Sequence, residues 1–452
     1  MTSGQRLARV PAALPAGIDR KAKALLAPAV LVACALTVAV GLSLHVSGVE
    51  LGTALPPFLA VWKPQLDVLA VVGLPLTVLC AVGAVRLARS SAGPLPFALG
   101  LGAVAVVSRV ALSMVRDGAA GWYSMLGTTG GVPVVGGNGE ARNEYLASIG
   151  ALDVGPLNFL DRYAEVVTTL AIHPSGHPPG MLLVLATPGL SWPPAAAGLM
   201  IVAGAAAVPL TYLLARRLIG EPAGRAAAVM AAFAPSALMY GATSADALFA
   251  TVALLAVLGL TASSTALRAA GAVGVAVASF FSYALLAAGA LAVVVVLRRD
   301  GVRPAVAVAT WAGAAVVGFY ALLAVLTGFD VFGALAGTED AYRRGIASLR
   351  PYAFWIVGSP AAFLVAAGLP VTWYAARSLA RGNSAALAVA AVIVVAAVAG
   401  FTKAETERIW LFLIPLLCVA AAAAMPRARL PVVTALLVGQ AVGAELLLGT
   451  HW

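Results

Sequence analysis

The chain has 452 residues, of which 62% are hydrophobic and 10% are charged, and its mean hydropathy is +0.99. No soluble globular domain approaches this composition, so we expect a polytopic integral membrane protein. The formal net charge is +10, but arginine and lysine lie mainly at the ends of apolar runs, which is typical of topology signals and argues against nucleic acid as a partner. The three cysteines lie inside apolar runs and lack the spacing of a disulfide framework or a zinc site.

Basic residues set the predicted topology, because short loops rich in arginine and lysine stay in the cytoplasm. The first apolar run, about 25–46, follows a basic segment and predicts an uncleaved span with a cytoplasmic N-terminus. The second run, about 66–85, leads back to Arg86 and Arg89, and the third, about 95–115, crosses outward again. The same alternation along the rest of the chain predicts about 13 spans and an extracytoplasmic C-terminus.

We therefore expect an all-α, multi-pass protein of the plasma membrane, with a single integral domain over residues 1–452 and a large extracytoplasmic loop over residues 116–180. Arg109 falls inside the third apolar run. An acidic residue of a neighbouring helix is the partner that we expect for it, although the sequence does not name one.

Polar residues are concentrated in the second half of this loop. They are Glu140, Arg142, Asn143, Glu144, Tyr145, Asp153, Asp161, Arg162, Tyr163 and Glu165, followed by the stretch HPSGHPPG over residues 173–180. Proline and glycine prevent a continuous helix there, so the stretch predicts a shaped loop. The apolar run that follows, 181–190, is too short to cross a bilayer and predicts a half-helix.

The predicted topology places most of the remaining ionisable residues at one surface. Those expected at or near the outer face are Glu144, His173, His177, Asp246, Glu339, Asp340, Arg343, Arg344, Lys403, Glu405, Glu407 and Arg408. Ionisable groups near the hydrocarbon edge are costly unless they line a wet cavity or meet a partner, so their convergence predicts a functional site.

Four short motifs in this order resemble membrane glycosyltransferases of the GT-C class, which include protein O-mannosyltransferases, aminoarabinose transferases and actinobacterial envelope mannosyl- and arabinosyltransferases. The motifs are Asn143-Glu144-Tyr145-Leu146, Gly176-His177-Pro178-Pro179-Gly180, Ser244-Ala245-Asp246-Ala247 and Lys403-Ala404-Glu405-Thr406-Glu407-Arg408. The first places an acidic residue about 30 residues before a His-Pro-Pro turn, as is usual in that class.

The resemblance implies transfer of a sugar, with inversion, from a polyprenyl-phosphate donor to a hydroxyl of an extracytoplasmic glycan, glycolipid or protein. Glu144 would be the general base, with Asp153, Asp161 and Glu165 as rivals in the same loop. The groups expected to bind substrate, above all the lipid phosphate, are His173, His177, Asp246, Arg408, Lys403, Glu405, Asn143 and Tyr145. No cofactor is implied with certainty, and a divalent cation stays open.

Each of these residues also has a structural interpretation. Asp246 or Ser244 could cap a helix, Glu405 and Arg408 are spaced for an i,i+3 pair, and the two histidines could stabilise a turn. Prolines between the histidines disfavour a helical metal-binding pair. Two other classes of protein also fit the composition: a secondary transporter or lipid flippase, and a non-catalytic subunit of an envelope-polymer assembly.

Overall fold

The computed structural model describes residues 20–129, 132–133 and 139–450 of the chain. The protein is 80% helical with almost no sheet, which confirms the all-α prediction. The helices before the polar loop are α1 (Arg20–Val46), α2 (Ala70–Arg89) and α3 (Pro94–Asp117). Their bounds agree with the first three predicted spans to within a few residues.

The polar loop is built from short elements instead of spans. Its α-helices are α4 (Pro156–Asp161), α5 (Tyr163–Val166), α6 (Ile172–Ser175) and α7 (Gly180–Leu185). Its 3-10 helices are Gly118–Ala120, Ser124–Leu126, Gly139–Asn143, Tyr145–Leu152 and Val167–Thr169. The half-helix predicted over residues 181–190 corresponds to α7, which ends at Leu185.

The second part of the chain contains α8 (Pro193–Ala205), α9 (Ala207–Ile219), α10 (Glu221–Phe233), α11 (Pro235–Thr243), α12 (Asp246–Leu260), α13 (Thr265–Phe281), α14 (Ala287–Asp300), α15 (Val302–Thr327) and α16 (Val331–Arg344). After these come α17 (Tyr352–Ala366), α18 (Leu369–Leu379), α19 (Ser384–Ala399), α20 (Thr406–Ile409), α21 (Ile414–Ala424) and α22 (Leu430–Leu447). The 3-10 helices of this part are Tyr283–Leu286, Ile346–Leu349, Leu411–Leu413 and Arg427–Arg429.

Six apolar segments of the described chain are long enough to cross a membrane: Lys23–Val46, Ala70–Arg89, Pro94–Ala120, Pro193–Ile219, Val302–Thr327 and Arg427–Leu447. Two bent helix pairs raise the number to eight if each pair is one span. The first pair, Pro235–Ala242 with Asp246–Leu260, bends by 118° immediately before Asp246. These helices are compatible with a membrane protein, and the count of about 13 spans stays a prediction.

Four short strands complete the described fold. β1 (Ala60–Trp62) pairs antiparallel with β4 (Leu448–Thr450), so the segment between α1 and α2 lies beside the end of α22. β2 (Thr128–Thr129) and β3 (Val132–Pro133) form a hairpin within the polar loop.

The core that supports the site lies around α12. This helix packs against α13 and α8 along its length, and against the 3-10 helix that follows α20. Helix α21, which comes next, packs against α18 and α10, and α20 itself packs against α17 and α11. The starts of α12 and α20 are therefore held next to each other.

Candidate functional site

Four distant parts of the chain meet at the guanidinium group of Arg408. Arg408 belongs to α20, Asp246 begins α12, His173 belongs to α6, and Glu144 precedes the 3-10 helix Tyr145–Leu152. All four side chains are buried, with 2–8% of each residue exposed. Buried ionisable groups are rare unless they are paired, so this polar cluster stands out within an apolar bundle.

Arg408 binds two carboxylates at once. Its Nη1 donates to Asp246 Oδ2 at 2.5 Å, and its Nη2 donates to Glu405 Oε2 at 3.0 Å. Ser244 Oγ donates to the same Asp246 oxygen at 2.7 Å. The planar, forked guanidinium suits such a double contact better than the point charge of lysine would.

His173 connects Arg408 to Glu144. The distance from Arg408 Nη2 to His173 Nδ1 is 3.3 Å, and a guanidinium can only donate, so Nδ1 is the acceptor. In the neutral ring the proton then lies on Nε2, which is 3.6 Å from Glu144 Oε1. The result is an ordered line of contacts from Asp246 through Arg408 and His173 to Glu144.

Burial keeps both loop histidines neutral at physiological pH. Burial, with the nearby charge of Arg408, lowers the pKa of His173 to about 3, and burial lowers that of His177 to about 4. Burial opposes the charge of Glu405, but Arg350 and Arg408 outweigh it and lower the pKa of Glu405 to about 2. Neutral imidazoles can donate and accept hydrogen bonds without adding positive charge to the cluster.

The turn before α20 is held in an unusual backbone conformation. Ala404 and Glu405 have φ of 64° and 60°, in the left-handed region that non-glycine residues rarely adopt. Side chains fix this turn from both sides: Arg350 Nη1 donates to Lys403 O at 2.8 Å, and Thr406 Oγ1 donates to Ser359 O at 2.6 Å. Strained residues of this kind persist only where their surroundings over-determine them, which is common at functional sites.

Lys403 and Glu405, both predicted to bind substrate, have structural contacts. The Nζ of Lys403 donates to the carbonyls of Ala347 and Arg350, at 3.1 and 3.0 Å. Glu405 accepts from Arg350 at 3.0 Å as well as from Arg408, so the i,i+3 pair considered from sequence is present. Both residues hold the turn that presents Arg408.

His177 and Tyr145 lie side by side next to the cluster. Their rings stack with centroids 6.2 Å apart, and Phe249 meets the His177 ring edge-on at 5.6 Å. Among the described residues, neither His177 Nδ1 nor the Tyr145 hydroxyl has a hydrogen-bond partner, although both atoms are buried. Buried polar atoms of this kind usually belong to a site that accepts water or a ligand.

The other loop residues are arranged differently. Asn143 donates to Glu140 Oε2 at 2.8 Å, which orients the segment before Glu144. The rival bases Asp153, Asp161 and Glu165 are exposed, and Glu165 pairs with Arg162 at 3.0 Å. Only Glu144 of the four carboxylates is buried at the cluster, with 2% of the residue exposed.

Of the two helix caps considered from sequence, the structure supports Ser244 in part. The N-cap position of α12 is Ala245, but Ser244 Oγ accepts from the backbone N–H of Asp246 at 3.1 Å. Asp246 is the first helical residue, and its carboxylate is bonded to Arg408 and Ser244 instead. An acid at this position also interacts favourably with the helix dipole.

Sequence reasoning missed two members of the site. Arg350 is 2% exposed and pairs with Glu405, yet nothing in its local sequence distinguishes it from a topology anchor. The sequence places Glu407 at the outer face but indicates no role for it. Its Oε1 accepts from Leu59 N at 2.7 Å, and burial raises its pKa to about 7.

Within the described residues, no group of three or more His, Cys, Asp and Glu side chains is arranged to hold a metal ion. No model of a protein family matches this sequence, and no curated protein matches it significantly.

Proposed function

We propose that the protein is a membrane glycosyltransferase that moves a sugar from a polyprenyl-phosphate donor to a hydroxyl on an extracytoplasmic acceptor. One observation carries the proposal: Glu144 and Asp246, 102 positions apart, meet in one buried cluster through His173 and Arg408. A secondary transporter would need its costly ionisable groups near the bilayer midplane, whereas this cluster draws on the polar loop.

The proposed reaction is an inverting substitution at the anomeric carbon. The acceptor oxygen forms the new glycosidic bond while the bond from that carbon to the phosphate oxygen breaks. Glu144 takes the acceptor proton, and the electron pair leaves with the polyprenyl phosphate. The neutral His173 ring, with Nε2 facing Glu144 Oε1 at 3.6 Å, orients the carboxylate without protonating it.

Arg408 serves this reaction mainly by position. It is shared between Asp246 and Glu405, so we propose that it holds the two sides of the cluster together beside the position of the leaving phosphate. His177 Nδ1 and the Tyr145 hydroxyl, which are unbonded within the described chain, are then the groups available to the phosphate or sugar.

The same proposal includes the plasma membrane location, the GT-C architecture with about 13 spans, and an extracytoplasmic active face. The acceptor is an envelope glycan, a lipid or a protein, and a divalent cation at the phosphate stays open. The shape of the pocket, and not the fold, decides which sugar is transferred.

The test is the Glu144→Gln variant in proteoliposomes supplied with radiolabelled polyprenyl-phosphate mannose or arabinose and a lipid acceptor extract. Loss of the base should lower the rate by about 10²–10⁴-fold while expression and melting temperature stay near those of the wild type. Glu165→Gln, which removes an exposed carboxylate of the same loop, is the matched control and should keep full activity. Full activity in Glu144→Gln would refute the assignment of the base.

A further inference from the structure

A buried cation outside the polar cluster, Arg109, lies inside the helix bundle near the start of α12. Arg109 is on α3, eight residues before the helix ends at Asp117, which places it about 12 Å from that end at 1.5 Å per residue. The residue is 3% exposed. An arginine at such a depth is costly because its guanidinium stays charged.

Among the described residues, Arg109 has no acidic partner of the kind that the sequence led us to expect. None of the ion pairs among the described residues includes it. Its Nη1 donates to the carbonyl of Ile201 at 3.2 Å, and its Nε has no hydrogen-bond partner in the described part of the chain. A carbonyl offsets part of the cost of burial but leaves the positive charge uncompensated.

The guanidinium lines a small cavity between α3, the helices α8 to α12, α21 and the 3-10 helix Leu411–Leu413. Glycines make room for it: a Cβ on Gly241 would lie 2.5 Å from Nε, and one on Gly204 would lie 3.0 Å from Nη1. The other lining residues are apolar apart from Thr211. The space suits one water-sized group and is too small for a phosphate or a sugar.

Asp246, the acidic residue next to this cavity in sequence, already has hydrogen-bond partners. Ala247, which lines the cavity, follows Asp246, but the Asp246 carboxylate accepts hydrogen bonds from Arg408 and Ser244. A water molecule in the cavity would satisfy Nε without neutralising the charge. A small anion would accept a hydrogen bond from Nε and also neutralise the charge. Its attraction to the guanidinium would offset the cost of removing the anion from water.

We propose that Arg109 and this cavity form a binding site for a small inorganic anion, which would be chloride in the cell. The site lies apart from the proposed sugar chemistry and does not depend on it. Its occupant would stabilise the packing of α3 against α8 and α11, because an unneutralised guanidinium would otherwise favour a wetter, looser bundle.

The experiment exchanges chloride or bromide for gluconate around the purified, detergent-solubilised protein at constant ionic strength. The melting temperature of the wild type should rise with halide, with saturation, by about 3 °C at 100 times the Kd. Gly241→Ala places a methyl group against Nε, and Arg109→Gln removes the cation, so both should abolish the response. Arg116→Gln is the matched control. Its wild-type Nη1 donates to three carbonyls at 2.9–3.3 Å, so this variant should keep the halide response.

Bromide also gives a direct readout in wild-type crystals. An anomalous peak within hydrogen-bond distance of Arg109 Nε is expected, and its absence at saturating bromide would overturn the proposal even if the variants fold poorly. A wild-type melting temperature that is the same in gluconate and in halide would mean that water alone fills the cavity, and would equally overturn it.

Discussion

At the scale of single residues, the pairing of Arg408 explains how so much charge can be buried at one place. Burial alone would lower the pKa of this guanidinium, but Asp246 and Glu405 outweigh that effect and raise it. Removing one partner of a buried pair costs about 3–5 kcal/mol because the other charge is left uncompensated. The cluster is therefore expected to behave as one unit, in which single substitutions have non-additive effects.

Glu407 predicts a specific dependence of stability on pH. Burial raises the pKa of this carboxyl from its ordinary value of 4.5 to about 7. Between these values the folded protein binds a proton that the unfolded chain has released, so the contribution is present below pH 4.5 and is lost as the pH rises through 7. The difference corresponds to about 3 kcal/mol at most.

The variant that tests this is Glu407→Gln, which resembles the protonated acid and keeps an acceptor for Leu59 N. The lowered pKa values of His173 and His177 act in the opposite sense, because their contribution is lost as the pH falls below 6.5. The wild type and the Glu407→Gln variant both contain these histidines, so the difference between their melting temperatures reports the contribution of Glu407 alone. Wild type and variant should melt together near pH 4, and the wild type should melt lower at pH 8. Parallel curves would contradict the assignment.

The residue types that gather in the cluster could be predicted from the sequence, whereas their individual partners could not. Glu144, His173, Asp246 and Arg408 were selected because polar residues in an apolar chain are costly, and the structure brings them together. Lys403 is predicted to bind substrate for the same reason, yet its ammonium group donates to two backbone carbonyls. Which neighbour satisfies a charge depends on tertiary distances that hydropathy and spacing do not contain.

At the scale of elements, the position of Asp246 depends on how closely α12 packs against α13. A Cβ on Gly271 of α13 would lie 2.3 Å from the backbone nitrogen of Leu260, and one on Gly259 would lie 2.6 Å from Gly271 Cα. Small residues at such crossings allow membrane helices to approach closely. Backbone atoms cannot move aside as a flexible side chain can.

Gly271→Ala should therefore force α12 and α13 apart. We expect a loss of about 1–3 kcal/mol in the free energy of unfolding, as is usual for overpacking, and a lower rate of the proposed sugar transfer because α12 carries Asp246. Thermal unfolding in detergent measures the first effect. Gly313→Ala in α15 is the control, since a Cβ there meets nothing within 4 Å and alanine favours a helix. Equal stability of the two variants would disprove the close-packing argument.

Long apolar helices could be predicted from the sequence, whereas bends and tight turns between helices could not. The first span ends at Val46 as predicted, because 20 or more apolar residues in sequence leave few alternatives. The bend of 118° before α12 and the two left-handed residues at Ala404 and Glu405 have no such signal. They are stabilised by contacts between segments distant in sequence.

At the scale of the whole molecule, the pairing of β1 with β4 constrains the topology. β1 lies between α1 and α2, and β4 follows α22, so both are at the same face of the protein. The candidate span Lys23–Val46 separates this face from the N-terminal side. If that span crosses, the number of crossings must be odd. Six or eight crossings do not satisfy this condition, whereas seven do, if one of the two bent pairs spans and the other is re-entrant, and so do the predicted 13.

Together with the basic residues at the helix ends, this constraint predicts the side of the membrane for three positions. Ser91, between α2 and α3, is exposed near the basic end of α2 and should be cytoplasmic, whereas Glu165 in the polar loop and a tag appended after Trp452 should be extracytoplasmic. A membrane-impermeant maleimide should label Glu165→Cys in intact cells and Ser91→Cys only after permeabilisation. The native cysteines are buried and give a low background. A tag that shares the Ser91 side would require an even number of crossings, which the β1–β4 pairing does not allow if α1 spans the bilayer.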